Sequence, residues 1–166
     1  MTLTTHAVTG AAIATLFPAY PAVGLTLALL SHYAIDAIPH YDYPLYSGSV
    51  NPTIGSAIKI DRAFVRDILT VGADGCLGLL LAFLLFAYPH MIPLAMLGAL
   101  LGMLPDPLQF AYVHFPHQPL TALFRLHDHA HAKNHLAFSV NNVGRQVLFV
   151  LSVLLAYFLI LLFLRW

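Results

Sequence analysis

Residues 63–88 read AFVRDILTVGADGCLGLLLAFLLFAY. Beyond Arg66 and Asp67 the only charged residue in this run is Asp74, and there is no proline. An α-helix rises 1.5 Å per residue, so about 20 apolar residues cross the roughly 30 Å of a bilayer's hydrocarbon core. The stretch therefore reads as a membrane-spanning helix. Lipid offers no partner for backbone polar groups, so one such span predicts helices, or a closed barrel, for its neighbours.

Four more apolar segments flank it, at 3–17, 19–38, 91–112 and 147–163. A further helix rich in histidine is predicted near 120–135. The expected fold is all-α: a polytopic membrane helical bundle of about five membrane helices plus a His-bearing interfacial helix, one domain over 1–166. Composition agrees. The chain is 60% hydrophobic and 8% charged, against about 25% charged in a soluble domain. Formal net charge is zero, which removes the electrostatic case for nucleic acid. Cys76 is the sole cysteine, so no internal disulfide forms. The start lacks a basic region, so no cleaved signal peptide is expected. In the first segment Gly10, Ala11, Ala12 and Ala14 are small enough to let helices approach closely.

Pro18 and Pro21 bracket one tight turn, and Tyr88-Pro89-His90 forms another. The long connections are 39–62, with Pro44, Gly48, Asn51 and Pro52 as turn residues, and 113–145. If all five segments span, both long connections share a face with the N-terminus. That face holds Lys59, Arg62, Arg66, Arg125, Lys133 and Arg145, and only Arg165 lies opposite. The positive-inside rule puts this face in the cytoplasm.

Ionisable residues inside apolar segments are costly and mark function by default. Here they are His6, His32, Asp36, Asp74 and Asp106. All but Asp74 fall toward one face, and Asp74 lies midway along its segment. His32 and Asp36 are four apart, on one side of a helix, as are His127 and His131. Pro107 biases Asp106 away from helical geometry, and broken helices at membrane depth tend to line cavities. Imidazole and carboxylate together suit zinc, and also iron or manganese. A divalent cation would relieve the repulsion among clustered carboxylates. The candidate ligands are His6, His32, Asp36, Asp74, Asp106, His127 and His131, with Asp74 or Asp106 also able to act as a base. They would hold one or two divalent ions, zinc first. His135 continues the His127/His131 stripe, and His40 and Asp42 stand as outer-shell candidates.

Plainer readings compete. His90, His114 and His117 suit helix ends at an interface. Asp74 can bind a helix partner such as Arg66, and Asp106 can cap a helix. Asp61 and Asp67 look like surface pairs with Arg62 and Arg66. Tyr41, Tyr43 and Tyr46 suit an aromatic belt.

The motifs Thr5-His6-x-x-x-Gly10, Ser31-His32-x-x-x-Asp36-x-x-Pro39-His40 and Leu104-Pro105-Asp106 resemble those of the bacterial inner-membrane, predicted metal-dependent hydrolases. The later motif departs from that family's Thr-His-Ser, reading Arg125-Leu-His127-Asp-His129-Ala-His131. The resemblance implies His6, His32, Asp36, Asp106, His127 and His131 as ligands, and an inner-membrane location. The leading expectation is a metal-dependent hydrolase of a lipid-linked phosphoester, using metal-activated water. Lys59, Arg62, Arg66 and Arg125 would hold the headgroup. The alternatives are a metal or proton transporter, or a non-enzymatic scaffold with a structural metal. The apolar stretches at 77–87, 91–103 and 147–163 offer transport no polar path.

Overall fold

The computed structural model describes residues 1–44, 46–47, 60–86, 88–114, 117–132, 136 and 139–164, with only the backbone described at 113–114. Lys59, Lys133, His135, Arg165, the turn residues Gly48, Asn51 and Pro52, and the side chain of His114 lie outside the described residues. The helices are α1 Leu3–Thr15, α2 Pro21–Asp36, α3 Arg62–Phe86, α4 Ile92–Met103, α5 Pro105–His114, α6 Leu120–Ala130 and α7 Val140–Leu164. The one bridge among the described residues pairs Tyr41 with Leu136 in parallel.

Two helices are long and apolar enough to cross a membrane: α3 and α7, at 25 residues each. Each runs about 37 Å. Val65, Leu69, Leu80 and Leu84 of α3, and Leu148, Leu151, Leu155 and Leu162 of α7, are bare on the protein surface, as lipid-facing positions should be. A third span exists if α4 and α5, bent by 42° at their junction, count as one. That is fewer than the five expected. The shortfall lies in α1 and α2, which have 13 and 16 residues. At about 20 Å, α1 is too short to span by itself.

The apolar character of α1 has another cause. It is walled in by α2, α3, α4 and α7, and 11 of its 13 residues are buried. Its small side chains make this possible. A Cβ placed on Gly102 would lie 2.5 Å from the His6 carbonyl oxygen, and one on Gly98 would lie 2.6 Å from that of Gly10. The α1 and α4 backbones thus touch with no side chain between them, the close approach that small residues four apart permit.

A buried helix start must find partners for its first N–H groups. Thr2, the residue before α1, makes no side-chain cap. Other elements supply the acceptors instead. Leu3 N donates to the Tyr43 hydroxyl at 3.1 Å, and Thr4 N to Asp74 Oδ2 at 2.8 Å. Thr4 Oγ1 donates to Asp74 Oδ1 at 2.7 Å, and Tyr43 also donates to Asp74. Thr2 N donates to Gln146 of α7, whose amide donates on to the Tyr41 carbonyl. These bonds draw the start of α1, the middle of α3, the start of α7 and the chain after α2 to one end of the bundle.

Candidate metal centre

The buried stripe of α2 is Gly24, Ala28, His32 and Asp36, each four residues from the next. The two small residues bring the helix against α1, and the two polar ones follow on the same face. The Gly102 carbonyl accepts a hydrogen bond from His32 Nδ1 at 2.8 Å. The close α1–α4 contact therefore positions His32 as well as the core.

Asp36 is the hub. His32 Nε2 lies 3.0 Å from its Oδ2, His127 Nε2 3.5 Å and His131 Nε2 3.8 Å. Its Oδ1 faces His6 Nε2 at 3.1 Å, His40 Nε2 at 3.7 Å and the Met1 ammonium at 2.7 Å. Asp106 adds Oδ1 at 3.6 Å from His32 Nε2 and 3.7 Å from His127 Nε2. His6 stacks on His32 with ring centroids 4.0 Å apart.

Three of these imidazoles are oriented alike. Nδ1 of His32, His40 and His131 meets the carbonyl oxygen of Gly102, Ile38 and Ala132 respectively, at 2.8, 2.6 and 3.3 Å. A carbonyl only accepts, so each Nδ1 carries the proton. In the neutral rings of His32 and His131 that leaves an Nε2 lone pair toward the carboxylates; at His40 the Nε2 is already engaged, 2.9 Å from Asp42 Oδ1 and 2.7 Å from the Met1 ammonium. This is how metal-binding histidines are held: a backbone partner fixes the tautomer and the ring plane.

Several of the converging atoms are buried and make no hydrogen bond beyond these ion-pair contacts: Nε2 of His32, His127 and His6, and Oδ2 of Asp36. Leaving such atoms unpaired in a dry interior costs about 1–3 kcal/mol each. One cation touching several of them would remove that cost. Among the described residues two donor groups have atoms all within 4.8 Å of one another: His32, Asp36, Asp106 and His127, and Asp36, His40 and His131. Bonds of about 2 Å from each donor to an ion can close such separations with small side-chain rotations. The residues present fit a divalent ion, and Asp36 belongs to both groups.

Asp42 closes the site from the chain after α2, with Oδ1 2.9 Å from His40 Nε2 and 3.2 Å from the Met1 ammonium. Burial alone would raise its carboxyl, but the His40 hydrogen bond and the ammonium outweigh it and hold it well below the usual carboxylate range. Burial pushes His131 below the usual imidazole value, against the pull of Asp36 and Asp42. Both groups are thereby kept in the form that binds a cation.

His6, His32, Asp36, Asp106, His127 and His131 thus come together, but His6, expected as a ligand, meets Asp36 and stacks on His32 without joining either donor group. Asp74 does not. It was expected as a ligand or base, but it anchors α1 through Thr4 and Tyr43 and belongs to neither donor group. Its partner is also not Arg66, whose guanidinium lies over the Tyr46 ring at 3.4 Å. Asp106 is helical after all: α5 starts at Pro105, which places Asp106 and Pro107 in its first turn, where proline is tolerated. His131 reaches the site from beyond the end of α6, in extended backbone. His129 points to the exterior, as do His90 and His117.

His40 joins the cluster, and sequence reading had placed it only in the outer shell. The signal was its position four residues after Asp36; the Pro39 break obscured it. Asp67 accepts from the N–H groups of Tyr46 and Ser47, and Asp61 from that of Phe64, so both organise backbone around the start of α3. The Tyr43 hydroxyl serves Asp74, a structural use rather than an aromatic belt, while Tyr41 offers Gln146 its backbone carbonyl.

A cavity of about 760 Å³ opens beside the cluster, lined by Asp42, Asp67, Asp106 and His131 together with Phe64, Ile68 and Phe110. No protein-family model, curated protein or solved structure matches the chain.

Proposed function

We propose that this protein is a membrane-embedded, metal-dependent hydrolase of a lipid-linked phosphoester. One observation carries the reading: the unpaired buried nitrogens of His32 and His127 converge with Asp36 and Asp106 beside an open cavity. His32, Asp36, Asp106 and His127 would hold one ion; in the second donor group, Asp36, His40 and His131, the Met1 ammonium already meets Asp36 Oδ1 and His40 Nε2 at 2.7 Å. Zinc is the first candidate because the donor set is imidazole and carboxylate without sulfur. When bound, the ion supplies Lewis acidity, which lowers the pKa of water and polarises a phosphoryl oxygen.

The chain's own groups do the rest. Asp106, like Asp42, lines the cavity and remains part-exposed, at 28%. It is placed to take a proton from water entering there. The carbonyl-anchored imidazoles of His32, His40 and His131 keep their rings fixed while charge changes around them. Arg66, over the Tyr46 ring, lines a neighbouring pocket with Tyr43 and Asp67, and we assign it to the headgroup as the nearby cation.

Location is part of the proposal. The start of α1, the end of α2, Asp106 of α5, Asp74 of α3 and Gln146 of α7 are linked by the contacts above, and we assign Arg62, Arg66, Arg125 and Arg145 to that side. We place that side in the cytoplasm and the protein in a bacterial inner membrane as a multi-pass bundle, with α1, α2 and the α4–α5 pair at membrane depth beside α3 and α7.

The test uses purified protein loaded with zinc or manganese and presented with phosphatidic acid, phosphatidylglycerol and a polyprenyl phosphate in mixed micelles. Release of phosphate or headgroup by wild type, lost in His127→Ala and Asp36→Asn, is the expected result. Wild-type protein carrying metal but turning over none of these would defeat the reading.

A further inference from the structure

The four residues of the first donor group divide evenly between two parts of the chain. His32 and Asp36 are on α2, which packs into the bundle against α1 and α4. Asp106 is on α5 and His127 on α6. Each part therefore brings one imidazole and one carboxylate. On one side His32 Nε2 is 3.0 Å from Asp36 Oδ2, and on the other His127 Nε2 is 3.7 Å from Asp106 Oδ1. The halves meet where His127 Nε2 lies 3.5 Å from Asp36 Oδ2 and Asp106 Oδ1 lies 3.6 Å from His32 Nε2. Protein sites for zinc supply three or four ligands, so neither half suffices by itself. The full set exists only while the two parts stay together.

Little else holds them. α5 and α6 lie antiparallel: Asp106 meets His127 at one end, and Tyr112 stacks on Phe124 at 4.4 Å further along. The two helices pack mainly on each other, while α6 touches α2 and α5 touches α4 only slightly. Phe110 adds a ring contact with Phe64 of α3 at 6.0 Å. The covalent and backbone attachments are both at the end that carries the donors. The chain enters α5 through the 42° bend after α4, where Pro105 and Pro107 have no N–H and leave two rungs out of the backbone ladder. It leaves α6 through Ala132, whose N–H donates to the Asp36 carbonyl at 2.8 Å. A helix pair with so little contact outside itself belongs to the part of a fold that opens locally, at less cost than global unfolding.

We infer that the α5–α6 pair is a separately opening unit, docked on α2 through an ion shared by His32 and Asp36 on one side and Asp106 and His127 on the other. The inference rests on the metal reading of these four residues and on no particular reaction. The coupling is one of linkage. An opening that parts the donors must release the ion, so openings become rarer by about the factor by which free ion exceeds its dissociation constant. The pair also supplies Asp106, Gln109 and Phe110 to the wall of the cavity. The cavity therefore has a fixed wall on that side only when the ion is bound.

Hydrogen exchange of the full chain in detergent, followed by peptide mass spectrometry, tests this. Arg125 and His129 of α6 are exposed, so the amides of this helix meet water when it opens. With chelator present, α6 peptides should exchange at least about a hundredfold faster than those of the enclosed α1. Zinc at about a hundredfold above its dissociation constant should slow α6 exchange about a hundredfold. His127→Ala should abolish that slowing. So should His32→Ala, which lies outside the pair; slow exchange of α1 in this variant shows that the bundle is still folded. His129→Ala should keep the full response. Equal exchange of α6 and α1 in chelator would make the protein one cooperative unit and overturn the proposal. Zinc retained on elemental analysis with α6 exchange unchanged would overturn it too, as would a wild-type response in His32→Ala. Failure to bind zinc at all would remove the metal reading and this inference together. Slowed α6 exchange in a protein that hydrolyses nothing would sink the hydrolase reading and leave the docking unit standing.

Discussion

At the scale of single residues, the contrast that matters is between acids that look alike in the sequence. Asp36 and Asp74 are both carboxylates in apolar helices. One is surrounded by imidazole nitrogens, the other by a backbone N–H and two hydroxyls. Sequence alone could not separate them, because a cation and a buried helix start both call for a carboxylate. Their substitutions should separate cleanly. His127→Ala, which removes a donor, should weaken zinc binding at least about 100-fold, beyond the usual cost of losing even an outer-shell partner. Elemental analysis after dialysis checks this, with exposed His129→Ala retaining wild-type metal. Asp74→Asn should keep its metal but lose about 1.5–3 kcal/mol of stability, the worth of hydrogen bonds to a charged acceptor. Thermal unfolding in detergent together with metal content tests it, and loss of metal at unchanged stability would return Asp74 to the ligand set.

The legible residues were those whose helical spacing survives in the fold. His32 and Asp36 are on one continuous helix, and their four-residue spacing put them on one face as read. His131 also arrives, but α6 ends at Ala130 and the side chain reaches the site from extended backbone. His40 was hidden by the reverse effect: Pro39 ends helical reasoning, yet the turn after α2 folds the imidazole back on Asp36.

Among the elements, α4 links packing to chemistry. Its Gly102 both admits the α1 backbone and offers the carbonyl that orients His32. Gly102→Ala would put a Cβ 2.5 Å from the His6 carbonyl oxygen, an atom that cannot move aside as a side-chain tip can. It should cost about 1–3 kcal/mol or more, and lower metal affinity as well, because His6 and His32 shift together. Gly144→Ala, in open space on α7, should leave both unchanged. Melting temperature and zinc affinity of the two variants are the measurements. The reading of α1 as a span failed at this scale. Hydropathy reports that a segment avoids water and does not say whether protein or lipid surrounds it. The clue was its run of Gly and Ala, which suits close helix contacts more than lipid exposure.

For the whole molecule, bound metal and folding are linked. Donors at the cluster come from α2, α5, α6 and the chain after α2, with His6 of α1 against Asp36, so an ion would add a tie between α6 and α2, which otherwise touch little. A ligand that binds only the folded state stabilises it by about 4 kcal/mol at a thousandfold excess over its dissociation constant. Chelation of metal-loaded protein should therefore lower the unfolding temperature by several degrees in wild type and hardly at all in Asp36→Asn. Differential scanning fluorimetry in detergent reads this directly. An identical melting curve with and without chelator would show that the ion is absent or contributes nothing to the fold.

The enclosure of α1 also bears on how the chain is made. This helix is synthesised before every neighbour that surrounds it, and it has almost no side of its own to offer to lipid. Until α3 and α4 have emerged, its glycine face and its buried imidazole have no place to go. The last wall, α7, closes only when nearly the entire chain exists. A ribosome stalled before residue 103 would leave a nascent product whose central strut is unsupported, the kind of half-built membrane protein that quality-control proteases remove.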